Sequence, residues 1–291
     1  MKIEIKNLYK NYGNHTAING LNLTLEGNKI IGLLGKNGAG KTTLMRMLSG
    51  YFQSTSGEIL INGKNPFNDL ELMKQICFIE ESQNFKEKFR IQDVLKVSSY
   101  YYPNWDNKKA KELLNLFKLD ERKKVKALSK GMYSALGIIV GLSSNAPITV
   151  FDEPYIGLDA SFRSTFYDLL LKEYEENPRM FIFSTHLIDE VSQLFEEVVI
   201  IHDGELLLHE KTTDLVENHL LISGKKDVVS EFIKDKNVIH VTEMFGSKSA
   251  IIYGDQLNEE EAKALNLEVE RSSVQDLFIH LTKEEVTHHV K

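Results

Sequence analysis

Residues 30–43 read Ile30-Ile31-Gly32-Leu33-Leu34-Gly35-Lys36-Asn37-Gly38-Ala39-Gly40-Lys41-Thr42-Thr43. A short apolar run, Ile30 to Leu34, has the length and texture of a buried strand. It leads into Gly35 to Thr42, which fits G-x-x-x-x-G-K-[ST], and a helical pattern opens through Thr43-Leu44-Met45. Strand, loop and helix in that order turn the string into a mechanism. The glycines let backbone N–H groups point inward at phosphate oxygens, and the helix N-terminus adds a favourable dipole. Gly35, Asn37, Gly38, Ala39, Gly40, Lys41, Thr42 and Thr43 are therefore candidate phosphate-binding residues. Lys41 is placed to reach the β- and γ-phosphates, and the Thr42 hydroxyl to ligate Mg²⁺. The alternative is a Gly-rich turn that binds nothing, and the register of all three parts argues against it.

A phosphate loop needs a carboxylate at the end of a neighbouring strand. Ile148-Thr149-Val150-Phe151-Asp152-Glu153 supplies two, at the edge where open parallel sheets bind ligands. Asp152 is placed for Mg²⁺, and Glu153 to accept a proton from attacking water. Outward from these motifs, strand and helix alternate. Expected strands are Lys2 to Leu8, Leu21 to Leu25, Glu58 to Ile61, Ile76 to Ile79, Met180 to Ser184 and Val198 to His202. Ile91 to Ser143 is helical in pattern, as are Ala160 to Tyr174 and Leu187 to Phe195. The alternation predicts a parallel sheet flanked by helices. Asp203-Gly204 signals a hairpin. From about Lys211, short strands and charged helices read as a small α+β appendage with no chemical motif, ending in a polar tail from Thr282.

Composition bounds the partners. The 291 residues carry 35 basic and 42 acidic side chains, a net charge of -7, which gives no general affinity for nucleic acid. The lone Cys77 rules out an internal disulfide and fits a reducing compartment. The longest apolar run, Ala135 to Leu142, falls far short of the roughly 20 residues that span a bilayer. The expected chain is soluble and cytoplasmic.

Several further motifs, in order, make residues 1–210 resemble the ATP-binding cassette of ABC transporters. Tyr12 matches the family's adenine-stacking aromatic. Leu128-Ser129-Lys130-Gly131-Met132 stands at the LSGGQ signature, Gly157-Leu158-Asp159 at the D-loop, and His186 at the switch histidine. The resemblance implies an α/β fold: a P-loop (RecA-like) core, an antiparallel β subdomain, and a helical subdomain over about 85–145. Residues 211–291 would then be an accessory α+β domain. It also implies ATP and Mg²⁺ as ligands, and a second cassette facing the first head to tail. In that pairing Ser129 and Gly131 would contact the partner's nucleotide, His186 the γ-phosphate, and Asp159 would communicate across the dimer. ATP would hold the pair together and hydrolysis release it.

Two departures stand out. The signature carries Lys130 and Met132 where the family has Gly and Gln. Glu81 falls where the family's Q-loop glutamine approaches the metal, making it a third candidate metal ligand. Three roles stay open there: Glu81 at the metal, Gln83 swinging in, or a solvated Glu80-Glu81 turn. A cassette without a membrane span implies a transmembrane permease subunit and residence at the cytoplasmic face of the plasma membrane. The Tyr100-Tyr101-Tyr102-Pro103-Asn104-Trp105 cluster suits the groove where such a subunit docks. With LSKGM, Pro103-Asn104-Trp105-Asp106 and Glu81, the chain resembles a subgroup of bacterial exporters of amphipathic or antibiotic-like peptides. The alternatives are a soluble ABC ATPase acting on ribosomes or DNA, and a module that binds ATP with little hydrolysis.

Overall fold

The computed structural model describes residues 1–253, 259–271 and 273–282. The expected polar tail beyond Thr282 lies outside the described residues. In chain order the first elements are β1 (Lys2–Tyr12), β2 (His15–Glu26), β3 (Ile30–Leu34), α1 (Lys41–Leu48), β4 (Ser56–Ile61), α2 (Leu70–Met73) and β5 (Ile76–Ile79). Three helices follow: α3 (Ile91–Tyr101), α4 (Asn107–Leu116) and α5 (Lys130–Ser143). Then come β6 (Ile148–Asp152), α6 (Ala160–Glu176), β7 (Met180–Ser184), α7 (Ile188–Val191), β8 (Glu197–His202) and β9 (Glu205–Lys211).

Alternation in β1 and β2 puts Ile3, Ile5, Leu8, Leu21, Leu23 and Leu25 on one buried face. These strands form an antiparallel sheet in the order β2-β1-β4. The five residues of β3, β6 and β7 are all buried, as strands covered on both faces require. They lie in a six-stranded sheet of order β5-β6-β7-β3-β8-β9, with β5 to β8 and β3 paired in parallel. Asp203 and Gly204, at φ 48 and φ 79, make the turn into β9. One apolar core joins the two sheets through Leu44, Met45 and Leu48 of α1.

Asp106 caps α4, accepting from the Lys108 and Lys109 N–H groups at 2.8 and 2.9 Å. Helix α5 is buried from Ser134 to Ser143, as its apolar run predicts. Its Gly137 and Gly141 face Ile79 and Phe151 so closely that a Cβ would lie 2.7 and 2.5 Å from those side chains. The continuous helix expected over Leu187 to Phe195 is instead the single turn of α7 and a 3-10 turn, Ser192–Leu194.

The remaining elements are α8 (Thr212–Glu217), β10 (His219–Lys225), α9 (Lys226–Phe232), β11 (Asn237–Met244), β12 (Ser247–Tyr253), α10 (Glu259–Ala264), β13 (Glu268–Arg271) and α11 (Val274–Leu281). Strands β10 to β13 form an antiparallel sheet of order β11-β12-β10-β13. With α9 and α10 as crossovers, this is the ferredoxin-like β-α-β-β-α-β arrangement. Its own core gathers Leu220, Ile222, Val229, Phe232 and Ile252. The chain divides into two compact units, residues 1–186 with 194–209 and residues 187–193 with 210–291. Helix α7, directly after His186, therefore belongs to the second unit, where it packs with α11.

Candidate nucleotide site

The loop between β3 and α1 is held in shape by glycine at Gly40. Its φ is +104°, and a Cβ there would meet the Ala17 carbonyl oxygen at 2.5 Å. Lys41, 8% exposed, donates from Nζ to the Gly35 and Lys36 carbonyls at 2.5 and 3.2 Å. Burial lowers its pKa, against the pull of the Glu153 and Asp152 carboxylates. A desolvated ammonium in a glycine loop is a ready partner for phosphate.

Parallel pairing of β6 with β7 sets Asp152 opposite Ser184. The Ser184 hydroxyl donates to Asp152 Oδ1 at 2.5 Å, and the Thr42 hydroxyl donates to Oδ2 at 2.6 Å. Asp152 is thus fixed as an acceptor facing the first turn of α1. These hard oxygens suit Mg²⁺, which takes one or two protein oxygens and fills its remaining positions with phosphate and water.

Glu153 follows with φ 51, a left-handed backbone unusual for a side-chain-bearing residue. Its N–H donates to Ser184 Oγ at 3.1 Å. Burial raises its carboxyl pKa, opposed by the Tyr155 hydroxyl, His186 and Lys41. His186 Nδ1 lies 2.7 Å from Glu153 Oε2, and the Tyr155 hydroxyl donates to the same oxygen. Tyr155 and Ser184 carry no weight in a motif reading; only the hydroxyl run Ser184-Thr185 before His186 hints at them.

A cleft of about 290 Å³ collects Tyr12, Lys36, Asn37, Gly38, Gly40, Lys41, Thr42, Thr43, Glu81, Asp152 and Glu153. Tyr12, 44% exposed, stands edge-on to Phe52 with ring centroids 6.3 Å apart. Lys10 Nζ lies over the same ring, 5.2 Å from its centroid. Gly35 and Ala39 shape the loop from beneath, and Ala39 is buried.

The signature residues do not line this cleft. Ser129 caps α5, accepting from the Met132 N–H at 3.3 Å, and Asp159 caps α6, accepting from the Phe162 N–H at 2.9 Å. Gly131 abuts the D-loop: a Cβ on it would lie 2.3 Å from the Gly157 carbonyl oxygen. The Ser134 hydroxyl donates to the Ile156 carbonyl at 2.6 Å, closing that contact.

The two acids at the end of β5 have different surroundings. Glu80 is bound by the Arg46 guanidinium through two bonds of 2.9 and 2.6 Å. Glu81 is engaged by Lys130 at 3.0 Å. The carboxylate and the lysine that depart from the cassette pattern thus neutralise one another. Gln83, at φ 68, lines a separate groove of about 550 Å³ with Tyr51, Phe85, Phe89, Tyr101 and Tyr102.

Comparison with known proteins agrees with this geometry. A family model described as ABC transporter matches residues 18–156. The bacitracin transport ATP-binding protein BcrA of Bacillus licheniformis is 33% identical, over 70% of this chain and 68% of that protein. The lantibiotic transport ATP-binding protein SrtF of Streptococcus pyogenes is 30% identical, over 74% and 93%. The ATP-binding cassette MJ0796, in a dimeric post-hydrolysis state bound to ADP and Pi, matches with a TM-score of 0.64 at 25% identity, over 72% of this chain and 98% of that one. With the phosphate loop, the strand-end carboxylates and these relatives in agreement, the chain belongs to the ABC transporter family as one of its ATP-binding, ATP-hydrolysing cassettes.

Proposed function

We propose that this cassette is the ATPase subunit of an exporter, driving a separate membrane subunit that moves amphipathic or antibiotic-like peptides. Phenol-soluble modulins are the peptide class we favour. The observation that carries the ATPase part is the convergence of Lys41, Thr42, Asp152 and Glu153 on one cleft. Loop N–H groups and Lys41 bind the phosphates. Thr42 and Asp152 hold Mg²⁺, whose charge when bound offsets that of the phosphates. Glu153 takes a proton from a water whose oxygen bonds to the γ-phosphorus, the bond to the bridging oxygen breaks, and ADP and phosphate leave.

Residues 1–210 act as the ATP-binding domain and 211–291 as an accessory domain. A second cassette completes the site with Ser129, Gly131 and Asp159, and His186 contacts the γ-phosphate. The groove lined by Tyr101 and Tyr102 receives the membrane subunit. Among the described residues no helix is long and apolar enough to cross a membrane. The chain would sit at the cytoplasmic face through that partner. Peptide cargo is supported by the bacitracin and lantibiotic transport relatives.

Glu153→Gln tests the chemistry. ATP turnover should fall at least about 100-fold, with ATP affinity held within about twofold. Turnover near the unmodified rate would remove Glu153 from the role of base. Co-purification from membranes with an integral subunit tests the transport part.

A further inference from the structure

The reading of Glu153 as general base leaves one question: what holds its carboxylate still. Glu153 is 14% exposed at its side chain, and its own backbone is in a left-handed conformation. Nothing in its own chain geometry selects which oxygen faces water. The neighbouring Tyr155 is 2% exposed, and its ring packs on Phe183 with centroids 6.1 Å apart. Its hydroxyl sits within hydrogen-bond reach of four polar groups.

A phenol has one proton to give and two lone pairs. An ionised carboxylate only accepts, so the Tyr155 proton goes to Glu153 Oε2. The His186 backbone N–H only donates, and it reaches the phenol oxygen at 3.1 Å. The Thr185 hydroxyl, at 2.7 Å, fills the second lone pair. His186 Nδ1 stands 3.3 Å from the phenol and 2.7 Å from Glu153 Oε2, so its proton also points at the carboxylate. Both bonds to the carboxylate therefore fall on Oε2.

We propose that Tyr155 is a positioning residue for hydrolysis: its hydroxyl ties Glu153 Oε2 to the backbone of His186 and thereby presents Oε1 to the attacking water. The inference rests on Glu153 acting as the base. In the step, a proton passes from water to Glu153 Oε1 as the oxygen–phosphorus bond forms and the bond to ADP breaks. Tyr155 keeps its own proton. Burial and the adjacent Glu153 push its pKa well above its ordinary value of 10.0, so it stays a donor. The same hydroxyl joins the base on one strand end to the histidine on the next.

The test uses the full chain carrying Tyr155→Phe, with Mg²⁺ and ATP as the probe. Phenylalanine keeps the ring against Phe183 and removes only the hydroxyl. The expected result is a fall in kcat of about 10- to 100-fold, with ATP affinity and KM within about twofold and the thermal unfolding curve of a folded protein. A wild-type kcat in folded Tyr155→Phe would overturn the proposal. So would a parallel loss of kcat and ATP affinity, which marks a merely structural role. If Tyr155→Phe does not fold, Thr185→Val replaces it: removing one hydroxyl that orients the phenol should lower kcat about 3- to 10-fold at unchanged affinity. An unaltered kcat in that variant overturns the proposal equally. Glu153→Gln keeps the two readings apart. Full turnover in Glu153→Gln sinks the base itself, whereas lost turnover there with a normal rate in Tyr155→Phe sinks only the role of Tyr155.

Discussion

A carboxylate beside a triphosphate is repelled unless a positive charge stands close by, and Lys130 stands 3.0 Å from Glu81. Both side chains are about half exposed, 61% and 48%, so solvent screens the pair and its effect on folding is small. We expect a larger effect on a bound nucleotide, because Glu81 lines the cleft. Lys130→Ala leaves a bare carboxylate there and should weaken ATP binding about three- to fivefold at low salt. Adding Glu81→Gln to that variant should restore the affinity. Were Glu81 a metal ligand instead, Glu81→Gln alone would raise the Mg²⁺ concentration for half-maximal activity. Titration of ATP and Mg²⁺ across the three variants decides between them. The sequence singles out Glu81 by its place in the cassette pattern but gives no partner for either acid. Their partners, Arg46 and Lys130, lie 34 and 49 residues away, and no local pattern announces either bond. Glu80, bound by Arg46, departs from the solvated-turn alternative, while Glu81 lines the cleft and stays about half exposed.

At the scale of elements, Glu197 at the start of β8 accepts from Lys29, just before β3, and lies 3.1 Å from His209 on β9. Burial alone would raise its pKa, but the Lys29 and His209 interactions prevail and hold it below its ordinary value of 4.5. A carboxylate depressed in the folded state contributes stability that is complete above its unfolded pKa and drains away as the pH falls through the folded one. Glu197→Gln should therefore lower Tm near neutral pH by about 2–4 °C and flatten the loss of Tm as the pH falls below about 5. An equal acid sensitivity in both proteins would remove this pair from the account. Elements with strong periodicity were legible in the sequence: β3, β5 and β7 begin and end where the pattern does. Strand β1 runs four residues past its expected end at Leu8, because pairing with β2 continues to Tyr12↔His15 after the alternation has broken. Helix α2 is a single turn, too short for a periodic signal. The phosphate loop and the acids after β6 were legible because each is local. Tyr155 was not, since its four partners come together only when β6 and β7 pair.

For the whole molecule, two separate cores serve two compact units. The strand order of the smaller sheet follows from pairing over dozens of residues, which no periodicity encodes. Within the larger unit, Ser129 and Gly131 of the signature do not line the cleft. In the proposed pairing, a second cassette would close the γ-phosphate side of the nucleotide. Sedimentation velocity of the chain carrying Glu153→Gln, with and without Mg·ATP, tests this pairing. A monomer is expected without nucleotide and a persistent dimer with it, reversed by adding Ser129→Arg to block the signature contact. A Glu153→Gln protein that binds ATP yet stays monomeric at every concentration would contradict it.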